Sequence, residues 1–304
     1  MRLPLTHRFA FGFASSGWRG SQFLWKSATC LRKVNESDVI RLPSGFPLQI
    51  DSRDWISKTI YEGTYERALL HFLDSLSLND ACIDVGANIG VTLWHSLKDS
   101  EATATFMAFE PSAQCFNALS NTRMAIRNQG QIFKYAIGDT DGKGTLFGLD
   151  NQAHSGAASL ASHPGIRGGH GEVQVRKLDS VLRDHLGERS ISLLKIDTEG
   201  YEAQVIDGAQ ETLLSEKVEI VVMEVSPNFG SVAFLNNVDT LLSGNYCWFY
   251  LDERGRVRKT PYLLEINLNQ ALKFDHQWNL ILMRKDVLEI YAANKNRIKI
   301  EMFK

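Results

Sequence analysis

The chain has 304 residues, enough for one large domain or two small ones. It is 44% hydrophobic and 22% charged, the balance of a soluble globular protein. A formal net charge of -2 excludes a global pull toward nucleic acid, so no nucleic-acid partner is expected. No run of about 18 apolar residues is present to span a bilayer, and a cytoplasmic location is expected.

Residues 1–37 form a basic, aromatic-rich extension. Arg2, Arg8, Arg19, Lys26, Arg32 and Lys33 occur there with Phe9, Phe11, Phe13, Trp18, Phe23 and Trp25. That pattern suits a transit peptide or a membrane-surface contact, and equally an extension that packs on the domain or stays mobile. Val39 to Ile50 reads as two short strands around Pro43-Ser44-Gly45. Tyr65 to Leu76 has helical spacing. Strands and helices then alternate: strand Ala81–Val85, helix Val91–Lys98, strand Thr105–Phe109, helix Ala113–Arg127, strand Ile132–Ala136. A loose region rich in Gly, Ser and His runs from Gly148 to Gly171. After it come strand Val173–Arg176, helix Leu178–His185, strand Leu193–Ile196, helix Glu202–Leu214, strand Ile220–Val225 and helix Val232–Leu242. Tyr246–Leu251 and Val257–Lys259 read as a hairpin, and Trp278 to Arg284 is the last strand. Cys30, Cys82, Cys115 and Cys247 lie far apart with no C-x-x-C pair and read as buried thiols.

Continuous apolar strands separated by amphipathic helices indicate a doubly wound, mostly parallel α/β sheet covered on both faces. Such sheets bind ligands beyond the carboxyl ends of their strands. Asp84–Gly90, Glu110, Gly138–Asp139, Asp197–Glu202 and Glu224 all stand at those ends.

Gly86 and Gly90 bracket a turn of form G-x-x-x-G, where glycine lets the backbone approach a ligand. Asn88 replaces the middle glycine of a dinucleotide fingerprint, which favours a cofactor without a diphosphate. Asp84, just before the turn, can orient its N–H groups or receive a cationic ligand. Glu110 is held by Pro111 at a helix start and suits two ribose hydroxyls; the plainer alternative is an acid favoured by the helix dipole. The stretch Leu194 to Glu202 crowds Asp197, Glu199 and Glu202 beside Lys195. Such crowding raises a carboxylate pKa or holds a cation, and the alternative is a helix start capped by Asp197 or Thr198.

Taken in order, Asp84–Gly90, Phe109-Glu110-Pro111, Ala136–Asp139, Lys195–Glu202 and Met223-Glu224-Val225 closely resemble the FkbM-type methyltransferases, a branch of the class I S-adenosylmethionine-dependent fold. The resemblance runs from about Val39 to Arg284, and it includes Gly63–Glu66 and Ser155–Leu160. It implies a methyltransferase domain over residues 38–286, with 287–304 as a tail, and a seven-stranded Rossmann-like sheet whose last strand is antiparallel. It implies S-adenosylmethionine as cofactor. Asp84, Gly86, Asn88 and Gly90 would serve the methionine moiety, Glu110 the ribose, Ile137 and Asp139 the adenine, and Asp197 would also face the cofactor.

A hydroxyl nucleophile must lose its proton, and Asp197 and Glu199 are the candidate bases. His154, His163 and His170 are weaker candidates. No metal ligand is assigned; a divalent cation between Asp197, Glu199 and Glu224 is the alternative, since hard cations favour carboxylates. The expected partner is a small-molecule hydroxyl acceptor, with Gly148–Gly171 as a lid over it. The rival readings are a nucleic-acid or protein methyltransferase with the basic N-terminus as an arm, and a cofactor-binding module without catalysis.

Overall fold

The structure is a computed structural model, and it describes residues 38–41, 47–50, 54–61, 64–96, 105–126, 130–148, 158–161, 170–227, 231–252, 260–293 and 298–302. The strands are β1 Asp38–Arg41, β2 Pro47–Ile50, β3 Ala81–Val85, β4 Phe106–Phe109, β5 Gln131–Phe133, β6 Ala136–Ile137, β7 Gly142–Phe147 and β8 His170–Arg176, followed by β9 Ile191–Ile196, β10 Val218–Val225, β11 Tyr246–Asp252, β12 Tyr262–Ile266, β13 Trp278–Arg284 and β14 Lys299–Met302. The helices are α1 Trp55–Tyr61, α2 Arg67–Ser75, α3 Val91–Ser96, α4 Ala113–Ile126, α5 Leu178–His185, α6 Glu202–Asp207, α7 Gln210–Leu214, α8 Ser231–Leu242, α9 Leu268–Ala271 and α10 Lys285–Ala293.

The main sheet has nine strands in the order β14-β12-β11-β13-β10-β9-β3-β4-β5. Strands β5, β4, β3, β9 and β10 are mutually parallel, and β13 enters antiparallel between β10 and β11. Those seven are the expected sheet with its antiparallel last strand. Two more extend the edge: β12 pairs with β11, and β14 pairs with β12. Residues 287–304, expected as a tail, therefore include most of α10 and a strand joined to the sheet.

Successive strand residues face opposite sides, and two cores result. On one side Cys82, Ala108, Leu193, Val222, Ile281 and Met283 pack under Leu69, Phe72 and Leu73 of α2 and Leu119 of α4. On the other, Ile83, Val85, Phe109, Leu194, Ile196 and Val221 pack against Val181 of α5, Val205 of α6, Leu213 of α7 and Val238 of α8.

Two expectations need correction. The strand expected at Ile132–Ala136 is two strands in two sheets. β4 ends at Phe109, paired to Phe133, so beyond Phe133 the backbone has no neighbour in the main sheet. Buried backbone groups must find partners, and Ala136–Ile137 pairs instead with Val175–Arg176 in a small sheet ordered β6-β8-β7. The helix expected at Glu202–Leu214 breaks at Gly208, which lies so close to Gly138 that a Cβ there would meet its carbonyl oxygen at 1.9 Å. α7 is then started from afar, because Asp179 accepts from the N–H groups of Glu211 (3.0 Å) and Thr212 (2.9 Å). The partner of β11 is Tyr262–Ile266, whose Tyr262, Leu263 and Ile266 are buried; Val257–Lys259 lies outside the described residues. α1 was not expected; Asp54 caps it, accepting from Ser57 N–H at 2.9 Å. No helix of the described residues is long and apolar enough to cross a membrane.

Candidate active site

The five residues of β3 are all buried, and the chain leaves the strand through Gly86 (φ 79), Asn88 (φ 51) and Gly90 (φ 89). Gly86 is required here on two grounds. Its φ is one that L side chains avoid, and a Cβ would meet the carbonyl oxygen of Asp197 at 1.8 Å. The N–H groups of Gly86 and Ala87 both donate to the Phe109 carbonyl, each at 3.0 Å, which fixes the turn against β4.

Glu110 locks the same turn from its other side. Its Oε2 accepts from Asn88 N–H at 2.8 Å and its Oε1 from Ser112 N–H at 2.8 Å. Burial pushes its carboxyl up to about 7, although those two backbone bonds pull the other way. Each oxygen keeps a lone pair for a further donor.

The acidic end follows from strand parity. Asp84 and Lys195 are register partners on β3 and β9. Glu224 lies two residues beyond Val222, the β10 partner of Lys195. These side chains share the face covered by α2. Lys195 Nζ donates to Asp197 Oδ2 at 2.9 Å and lies 3.5 Å from Asp84 Oδ1. The longer contact is an ion pair rather than a hydrogen bond, and neither buried Asp84 oxygen has a hydrogen-bond partner among the described residues. Burial opposes the charge on Lys195, but Asp197 and Asp84 outweigh it and hold its pKa well above the ordinary lysine value.

The cap expected from Asp197 or Thr198 is supplied by Glu202. Its Oε1 accepts from Thr198 N–H (2.8 Å), Thr198 Oγ1 (2.9 Å) and Gly200 N–H (3.2 Å). This holds Glu199 at φ 55. Carboxylate oxygens of Asp197, Glu199 and Glu224 come within 4.8 Å of one another. Burial, then Asp197 and Glu202, push Glu199 up to about 8. Burial, then Asp197 and Glu199, raise Glu224 well above the carboxylate range. Glu224 also accepts a short hydrogen bond from Gln277. So close a set holds either a shared proton or a cation.

One open cavity joins these parts. It brings together Gly86, Asn88, Glu110, Ile137, Asp197 and Glu199. Asp84, Gly90 and Asp139 are not on its wall: Asp84 borders a smaller cavity behind the turn, and Asp139 lies near Tyr201. His154 and His163 fall outside the described residues, and His170 opens β8, paired to Phe147. Sequence reasoning missed Ile56, Tyr65, Leu146 and Tyr201, which also line the cavity. The expected lid Gly148–Gly171 contributes Ala158, Ser159 and Leu160; Ser159 pairs with Phe147 and donates from Oγ to the Thr198 carbonyl at 3.2 Å.

A family model, the methyltransferase FkbM domain, matches residues 84–248. The chain belongs to the FkbM methyltransferase family. No curated protein sequence matches it. Among solved structures this FkbM methyltransferase is similar to a precorrin-6y C5,15-methyltransferase from Geobacter metallireducens GS-15, at 12% identity over 73% of this chain and 89% of that one, with a TM-score of 0.37. It is similar to a Pyrococcus abyssi tRNA (uracil-54, C5)-methyltransferase in complex with S-adenosyl-L-homocysteine, at 10% identity over 82% of this chain and 44% of that one, with a TM-score of 0.41. It is also similar to M. capricolum TrmK in complex with S-adenosyl-homocysteine, at 12% identity, 71% and 67% coverage and a TM-score of 0.36.

S-adenosylmethionine is the cofactor of this FkbM methyltransferase. The cavity fits it. Gly86 leaves a wall that no side chain could share, Asn88 Oδ1 is buried without a partner among the described residues, and Glu110 faces the same space.

Proposed function

We propose that this FkbM methyltransferase methylates a hydroxyl on a small metabolite or sugar. The observation that carries the reading is the convergence of Asp197 and Glu199 on the wall of the cavity that Gly86, Asn88 and Glu110 also line. A hydroxyl needs a proton acceptor as it reacts, and two carboxylates stand there.

The turn Gly86–Gly90 holds the methionine moiety, with Asn88 Oδ1 as an acceptor for its ammonium. Glu110 takes the ribose hydroxyls on its remaining lone pairs, and Ile137 packs against the adenine. When bound, the cofactor supplies an electrophilic sulfonium methyl. The protein's part is to align the acceptor, exclude water and remove a proton. Alignment of reacting groups supplies roughly 7–11 kcal/mol of a barrier, and a positioned base adds roughly 10²–10⁴-fold. Lys195 occupies Oδ2 of Asp197, which leaves Oδ1 for the acceptor's proton. Glu199, its carboxyl pushed up to about 8, is a strong base for a carboxylate once it is deprotonated.

Calorimetry with S-adenosylmethionine, NAD and ATP is the first test, and selective binding of NAD sinks the reading. Labelled-methyl transfer into an extract of the source cell then identifies the product by mass. Label confined to RNA, DNA or protein, in a salt-sensitive manner lost with residues 1–35, points to the macromolecular alternative.

A further inference from the structure

Tyr65 lies outside the segment matched to the family, which begins at residue 84, yet it lines the cavity beside Lys195, Asp197 and Glu199. The turn that carries it is fixed at both ends. The N–H groups of Thr64 and Tyr65 donate to the Thr59 carbonyl at 2.9 and 3.1 Å. The next residue, Glu66, is held at φ 41, and its carbonyl accepts from Leu70 N–H at 2.9 Å at the start of α2. Because α2 packs its Leu69, Phe72 and Leu73 on the sheet, its first turn overhangs the acidic strand ends. Glu66 and Glu199, both non-glycine residues with positive φ, stand at this end, and such strain collects at functional sites.

The chemistry at this end is one-sided. Asp197, Glu199 and Glu224 accept protons, while the Lys195 ammonium is committed to Asp197 and Asp84. Burial first, then the negative charge of Glu66 and Asp197, keeps the proton on Tyr65. Among the described residues, its hydroxyl donates to no side chain or carbonyl. It is a neutral donor on this part of the wall.

We propose that Tyr65 is an acceptor-binding residue, whose phenolic hydroxyl donates a hydrogen bond to an oxygen of the acceptor. The inference rests on the reading of the site as a hydroxyl methyltransferase. The acceptor it selects carries a lone-pair oxygen in addition to the proton it gives up. A site built to hydrogen-bond a substrate discriminates strongly when that bond is lost.

The test uses the full chain and methyl-labelled S-adenosylmethionine, with the small-molecule fraction of source-cell extract as probe across a dilution series. Tyr65→Phe should need about tenfold more extract for half-maximal labelling, one hydrogen bond's worth. Its maximal rate should stay within about threefold, and its calorimetric affinity for S-adenosylmethionine within about twofold. Tyr65→His, which restores a donor, should recover part of the loss. Unchanged half-saturation in Tyr65→Phe overturns the inference and leaves the methyltransferase reading standing. A parallel loss of cofactor affinity also overturns it, since Tyr65 would then serve the cofactor. A wild-type chain that labels no small molecule overturns the hydroxyl reading, and this inference with it.

Discussion

Glu110 and Asn88 are joined on the cavity wall, the Asn88 N–H donating to Glu110 Oε2 at 2.8 Å. The residue proposed to grip the ribose therefore also shapes the turn proposed to hold the methionine, and the two ends of the cofactor site are one unit.

The first prediction concerns the protonation of that unit. Burial pushes the Glu110 carboxyl up to about 7, and hydroxyl donors prefer the ionised form. Affinity for S-adenosylmethionine should therefore tighten about tenfold from pH 6 to pH 8, with proton release on binding. Glu110→Gln should bind about tenfold more weakly with little pH dependence. Calorimetry in buffers of different ionisation enthalpy reads both effects. A wild-type affinity that is flat across this range rejects the ribose role.

Gly86 and Gly244 make a controlled pair. Alanine at Gly86 must adopt φ 79 and place its Cβ 1.8 Å from the Asp197 carbonyl oxygen, whereas nothing lies within 4 Å of a Cβ at Gly244. Gly86→Ala should cost roughly 2–5 kcal/mol in denaturant unfolding, from left-handed strain and overpacking together. Gly244→Ala should stay within about 0.5 kcal/mol. Equal midpoints for the two variants contradict the close approach of β3 and β9 at the turn.

What the sequence made legible and what it hid divide along physical lines. β3 was read to the residue because five consecutive buried positions end at a glycine, and the pattern is local. The order of motifs carried the acidic strand ends. The break at Gly208 was hidden because the contacts around it are distant in the chain: Gly208 packs on the Gly138 carbonyl some seventy residues away, and the cap on α7 comes from Asp179. β7 was hidden because Gly142-Lys143-Gly144-Thr145 has no apolar alternation; it forms by pairing with β8. Tyr65 carried no signal as a site residue, since its place over Asp197 depends on how α2 docks. The grouping of Glu224 with Asp197 and Glu199 was raised from the sequence as an alternative cation site, and the β9–β10 register is what brings the three together.

Lys195 and Asp84, 6% and 3% exposed, form a buried pair in which neither Asp84 oxygen has a hydrogen bond among the described residues. Removing the cation alone should be expensive: Lys195→Met should destabilise by about 3–5 kcal/mol. The added Asp84→Asn change should return much of that loss, because it removes the uncompensated charge. Burial already raises the Asp84 pKa, tempered by Lys195. In Lys195→Met it should rise further, so the variant's stability should fall more steeply than the wild type's as pH climbs above the ordinary carboxylate range. A double variant no more stable than Lys195→Met argues that packing, not charge, is what Lys195 supplies.

Glu199 ties stability and catalysis to one proton with opposite signs. Burial, then the charges of Asp197 and Glu202, push its carboxyl from the ordinary 4.5 up to about 8. A pKa raised in the folded state gives stability that is full below the unfolded value and lost as pH rises through the folded one. The midpoint of thermal unfolding should therefore decline between pH 5 and pH 8.5, and Glu199→Gln should flatten that decline. Transfer to a hydroxyl should run the other way, rising through about pH 8 as the base is freed. In Glu199→Gln this rise should disappear, leaving whatever rate Asp197 sustains. If the variant keeps the alkaline rise in rate yet loses the stability slope, Glu199 is a buried acid of structural consequence only, and its role as the base is rejected.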